Sequence, residues 1–240
     1  MKPNPVKKLF LTAALVCIIA ACSKDSANTM TVTGNVKGLK KGTLYLQHLA
    51  DTTLVTLDSL VLKGDGAFTF KTELDSPEIF YLYLNKKDDN DINDRLIFFG
   101  EPGVITINTT WNTFDTQAKI SGSETHKKLV EYREVMSKFN VANLENVRAF
   151  YDPKINQDPI AMDSVQKIND RNTLRGYLYA LNFALNNKDS YIAPYIALYE
   201  VPDANLKYLD SIHKSLHPEV SQSKYGKALY QYIESQKSKE

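Results

Sequence analysis

The chain has 240 residues, 29 of them basic and 28 acidic, for a formal net charge of +1. So balanced a chain has no electrostatic footprint for nucleic acid, and 43% hydrophobic residues suffice for one large or two small packed domains. Only two cysteines occur, Cys17 and Cys22, which leaves no Cys-x-x-Cys motif and no cysteine metal cluster.

Residues 1–21 read as a signal peptide. Lys2, Lys7 and Lys8 form a basic start, and the apolar run Leu9 to Ala21 is thirteen residues long. A bilayer-spanning helix needs roughly 20. The run ends in Ile19-Ala20-Ala21-Cys22, which resembles the bacterial lipobox, an aliphatic and two small residues before a cysteine. Cleavage is therefore expected between Ala21 and Cys22, with a covalent lipid on the Cys22 thiol. Two or three acyl chains, at about 0.8 kcal/mol per buried methylene, make a lasting membrane anchor. Removal of residues 1–21 leaves 26 basic against 28 acidic residues, and Cys22 as the only cysteine. Ser23, where an Asp would favour inner-membrane retention, points to the outer membrane.

Residues 22–29 are small and polar, as a lipidated tether would be. Short strands are expected next: Met30 to Val36, Leu44 to Leu46, and Leu54 to Leu62 with an interruption at Asp58-Ser59. Lys63-Gly64-Asp65-Gly66 carries the clearest hairpin signal, leading into Ala67 to Phe70. Further strands are expected at Ile79 to Leu84, Arg95 to Phe99, Val104 to Asn108 and Ala118 to Ile120. Seven or eight such strands predict an antiparallel β-sandwich over residues 30–122.

Beyond Gly122 the period becomes helical, with Leu129, Tyr132, Val135, Met136 and Phe139 in register. A long helix is expected around Val165 to Asn186, with Leu174, Leu178, Leu181 and Leu185 near one face. Asp189-Ser190 and Asp203 sit where N-caps would precede Tyr191 to Tyr199 and Ala204 to Leu216, and Pro218 stops the latter. A last helix is expected over Ser223 to Gln236. The fold class is thus α+β, a β-sandwich followed by an all-helical segment over residues 123–240.

Thr33-Gly34-Asn35-Val36, Gly42-Thr43-Leu44-Tyr45-Leu46, Asp58-Ser59-Leu60-Val61, Gly66-Ala67-Phe68-Thr69-Phe70, Phe99-Gly100-Glu101-Pro102-Gly103 and Ile120-Ser121-Gly122-Ser123 recur in that order. This succession is similar to the domain of unknown function that opens many TlpA-type thiol–disulfide oxidoreductase lipoproteins. The resemblance implies a sandwich and a helical segment in the cell envelope. In that family a thioredoxin fold follows, but here the chain ends at Glu240 without the redox cysteines, so the redox activity does not carry over.

Few residues suggest chemistry. Asp89, Asp91 and Asn93 fall at positions 1, 3 and 5 of an EF-hand-like loop, but Asp94 and Gly100 occupy the positions that need Gly and Glu. A solvated loop is the expectation there. His48, His126, His213 and His217 lie in different segments; the last two have i, i+4 spacing without the intervening Glu of a metalloprotease helix. Ser121-Gly122-Ser123 reads as a turn leaving the last strand. Glu73, Asp75, Glu78 and Glu101 converge only if the fold brings them together. Phe80, Tyr81 and Tyr83 occupy both faces of one strand. Trp111, among Thr and Asn, is the best candidate to stack on a sugar or bind a peptide. No catalytic constellation emerges, and no cofactor is implied beyond the lipid on Cys22. The expected role is a non-catalytic, membrane-tethered binding or accessory module with an envelope protein or glycan as partner. The alternative is a thiol-free accessory of an envelope redox pathway.

Overall fold

A computed structural model describes residues 27–86 and 94–239. Among these residues eight strands come first: β1 (Thr29–Lys37), β2 (Lys41–Ala50), β3 (Thr53–Lys63), β4 (Ala67–Glu73), β5 (Glu78–Asn85), β6 (Arg95–Gly100), β7 (Gly103–Thr110) and β8 (Lys119–Ser121). Seven helices follow: α1 (Glu124–Phe150), α2 (Pro153–Asn156), α3 (Pro159–Asn186), α4 (Ile192–Tyr199), α5 (Leu206–Ser215), α6 (Pro218–Ser221) and α7 (Lys224–Lys237). The fold is α+β, with two four-stranded sheets preceding the helices.

One sheet has the order β4-β1-β7-β8 and the other β3-β2-β5-β6. Every pairing is antiparallel except β1 with β7. Those two strands are not joined by a hairpin: β2 and β3, then β4 of the first sheet, then β5 and β6 lie between them in the chain. Met30, Val32, Phe68, Phe70, Ile105 and Ile107 from the first sheet meet Leu44, Leu46, Phe80, Leu82, Leu84 and Phe98 from the second in one core. Alternation along each strand supplies these residues.

Two turns differ from their sequence reading. Lys63-Gly64-Asp65-Gly66 is a corner between sheets, since β3 and β4 belong to different ones. Gly66 has φ +71, and a Cβ there would lie 2.2 Å from the Val36 carbonyl oxygen. Its own carbonyl accepts the Val36 N–H at 2.9 Å, so the turn is docked on β1 and β4 is delivered to the other sheet. Asp58-Ser59 does not interrupt β3. Asp58 pairs with Leu46 and Thr56 with Gln47, leaving Leu57 as the extra residue of a bulge.

Strand β5 explains how the helices attach. Its inner residues fill the sandwich, whereas Ile79 and Phe99 belong to a second core with α1, α3, α4, α5 and α7, against which Tyr81 and Ile97 pack. A strand buried on both faces reads as a continuous apolar run, as Ile79 to Leu84 does. Burial of Ile79 or Phe99 contributes about 2 kcal/mol each.

Ser123 caps α1, its hydroxyl accepting the His126 N–H at 2.9 Å. Only Thr125, His126, Leu129 and Tyr132 of α1 are buried, and no residue of α3 before Gly176 is. The two helices therefore continue past the core as a projecting hairpin, tied by the Asn172 amide to the Phe139 carbonyl at 2.9 Å. Along α3, Leu181 enters the core, but Leu174, Leu178 and Leu185 are 55%, 45% and 37% exposed. The aromatic face packs on α1 instead, with Tyr132 stacked on Tyr179 and tilted against Phe183. Asn205, not Asp203, caps α5, whereas at the start of α4 Ser190 Oγ accepts the Ile192 N–H at 3.5 Å.

Candidate functional site

Trp111 stands one residue beyond β7, at the far end of the β1–β7 pair from Asn28. Its N–H donates to the Lys37 carbonyl at 3.2 Å, and Thr110 Oγ1 donates to Asn112 Oδ1 at 2.9 Å in the same turn. The ring rests against Gly38, which has φ +80; a Cβ at that position would lie 2.8 Å from Trp111 Cδ1. A left-handed residue with no room for a side chain selects glycine twice over. Backed in this way, the indole remains 44% exposed.

The ring lines a cleft of about 500 Å³ with Gly38, Leu39, Lys40, Lys41 and Lys86. A second groove of about 280 Å³ adjoins it through Lys41 and Lys86, adding Thr43, Val61 and Lys63. Lys86 Nζ lies 5.9 Å from the indole centroid and 2.7 Å from the buried Asp94 carboxylate. That ion pair fixes the ammonium beside the ring. Among the described residues, no carboxylate lines either groove. The floor is apolar, the wall aromatic and the rim cationic, a combination suited to binding and orienting a ligand.

A second cleft, about 380 Å³, opens beside Asn28 at the opposite end, where the sandwich meets the helices. Asp75, Glu101, Tyr191 and Glu219 line it. Two of the four candidate acids thus share a cleft, but Glu101 Oε2 accepts the Thr125 hydroxyl at 2.6 Å and Glu219 accepts the Tyr191 hydroxyl at 2.9 Å. Glu73 and Glu78 do not join them. Glu78 meets His48 Nδ1 at 3.1 Å and also the Lys224 ammonium.

The other candidates serve the fold. His126 is buried and accepts the Phe99 N–H at its Nδ1, 3.3 Å away. Burial first, and the nearby Arg133 second, push its pKa down to about 4, so the ring is neutral near pH 7. His213 closes α5 against the Tyr230 ring, with its pKa lowered chiefly by burial. His217 lies past the helix end and its N–H donates to the Lys188 carbonyl, so the two imidazoles share no helix face. Phe80 is buried, Tyr81 packs on the helical core, and Tyr83 stacks between Tyr45 and the Arg95 guanidinium. Cys22, Ala21, Asp89, Asp91 and Asn93 lie outside the described residues. Among the described residues, no three His, Cys, Asp or Glu side chains are grouped to hold a metal, and no helix is long and apolar enough to cross a membrane.

The lysines around Trp111 escaped the sequence reading. Lys40-Lys41-Gly42 reads from sequence as a turn and Lys63 as the start of the Lys63-Gly64-Asp65-Gly66 hairpin signal; only the β2–β3 register and the approach of the β1–β2 turn to Trp111 collect them. The sole signal was that each lies at a turn flanking a predicted strand.

Residues 30–129 match a domain family of unknown function (DUF4369), a span that includes Trp111, Lys40, Lys41, Lys63, Lys86 and the start of α1. No curated protein and no solved structure matches the chain.

Proposed function

We propose that this chain is a non-catalytic lipoprotein of the outer membrane, anchored through Cys22, whose tethered body binds a ligand in the Trp111 cleft. The observation that carries this reading is the mounting of Trp111: an exposed indole, backed by a glycine, on the wall of a lysine-rimmed cleft. Most of the other candidate polar groups are engaged in holding the fold.

Geometry supports the tethered arrangement. Asn28 lies six residue steps beyond Cys22, a reach of at most about 21 Å. β1 then runs nine residues from the Asn28 end to the Trp111 end, or about 30 Å. A ligand seat at that end faces away from the anchoring bilayer.

Two measurements test the reading. Mass spectrometry of the protein extracted from membranes is expected to show an N-terminus at Cys22 carrying acyl chains; an unmodified Cys22 sinks the anchor. Calorimetry of the full-length protein in nanodiscs against a panel of neutral and acidic oligosaccharides is expected to find saturable binding that Trp111→Ala abolishes. Binding that survives this substitution, or none across the panel, sinks the seat.

A further inference from the structure

The β2–β3 ladder sets Lys41 directly opposite Lys63. Like charges facing each other across an antiparallel pair are destabilising, and among the described residues no carboxylate lines the groove between them. Lys40 joins the same rim from the Trp111 side. Lys86 is paired with Asp94, so among the described residues the charge without a carboxylate beside it in these grooves comes from Lys40, Lys41 and Lys63. An anion placed between them relieves the repulsion, and the neighbouring indole offers its ligand a flat apolar face.

We propose that the Trp111 cleft takes an acidic saccharide, with a sugar ring on the indole and its carboxylates against Lys40, Lys41 and Lys63. This rests on the reading of the cleft as the ligand seat and adds the chemical class. A pyranose ring presents axial C–H groups on one face and hydroxyls around its edge, so it matches an indole wall. The two grooves share Lys41 and Lys86, which gives room for more than one sugar unit. A uronic acid carries its carboxylate at the ring edge, where the lysine rim lies. A small inorganic anion satisfies the lysines but leaves the indole and Val61 unused.

Trp111 is the only tryptophan, so its emission reports on this cleft alone. The full-length protein in nanodiscs is titrated with trigalacturonic acid, with neutral maltotriose, with inorganic phosphate and with vesicles containing an anionic phospholipid. A saturable emission change with trigalacturonic acid is expected, at least about tenfold tighter than with maltotriose and weakened by raised salt. Lys41→Gln and Lys63→Gln are each expected to weaken it severalfold. Their melting temperatures stay the same or rise, because each removes the like-charge contact, so loss of binding is not loss of fold. Equal affinity for maltotriose, with no effect of the lysine substitutions, overturns the acidic class and leaves the seat standing. Phosphate or anionic vesicles matching trigalacturonic acid overturns the saccharide in favour of a bare anion or a lipid surface. Calorimetric binding that persists in Trp111→Ala overturns the seat itself.

Discussion

The backbone N–H of Ile79 donates to the Tyr225 hydroxyl at 3.0 Å, joining residues 146 positions apart in a buried bond. The β2–β5 ladder stops at His48 and Phe80, and the tyrosine takes over where the next strand partner would stand. A helix of the last segment thereby completes a sheet of the first. Burial raises the Tyr225 pKa, so the phenol stays protonated at physiological pH, and Phe99 and Tyr195 pack edge-on around it.

Tyr225→Phe keeps the ring and removes the acceptor, leaving a buried N–H unpaired. The expected loss is about 1–3 kcal/mol, read as a lower urea midpoint with unchanged slope. A midpoint equal to wild type would show that the bond contributes nothing to joining the two segments.

Lys224 tests the same seam electrostatically. Its ammonium meets Glu78 and the Leu49 carbonyl, and its N–H donates to Ser76 Oγ at 2.9 Å. The side chains of Lys224 and Glu78 are 36% and 11% exposed, against 69% and 60% for Lys167 and Asp163 on α3. Double-mutant cycles should give a coupling of about 1–2 kcal/mol for Lys224–Glu78, after allowance for solvent screening at Lys224, and no more than about 0.5 for Lys167–Asp163. Equal couplings would place the first pair among ordinary surface contacts.

His126 makes stability depend on pH. Its folded-state pKa of about 4 lies below the ordinary 6.5. Between these values the unfolded chain binds the proton and the folded chain does not, so stability rises with pH across that window. The full contribution is present above pH 6.5, and about 3 kcal/mol is lost by pH 4. Denaturation midpoints for wild type and His126→Gln at pH 7, 5.5 and 4.5 check this. The substitution should flatten the slope in that window; parallel curves would assign the acid sensitivity elsewhere.

Gly38 is expected to control the Trp111 ring. Gly38→Ala forces a Cβ into the indole and an L residue into the left-handed region, at a cost of about 1–2 kcal/mol. The ring must shift, so acrylamide quenching and the emission maximum should both change. Unaltered fluorescence would mean that the glycine does not position the ring.

Much of this organisation was legible in the chain itself. The change from strand to helical period after Gly122 and the strand positions follow from local order and side-chain alternation. The apolar run Ile79 to Leu84 marked a strand without showing that its outer face serves a second core. What tertiary structure alone decided is which elements become neighbours. Gly66 signals a tight turn in any context, and only its docking on Val36 makes that turn a corner. Leu174 and Leu178 have core-like spacing, yet the aromatic face of α3 won the contact with α1. Trp111 stood out as a lone aromatic, while the lysines that surround it come from three turns scattered over nearly fifty residues. Sequence periodicity specifies which face of an element is apolar, but strand register and packing choose its partner, and the Trp111 cleft exists only through that choice.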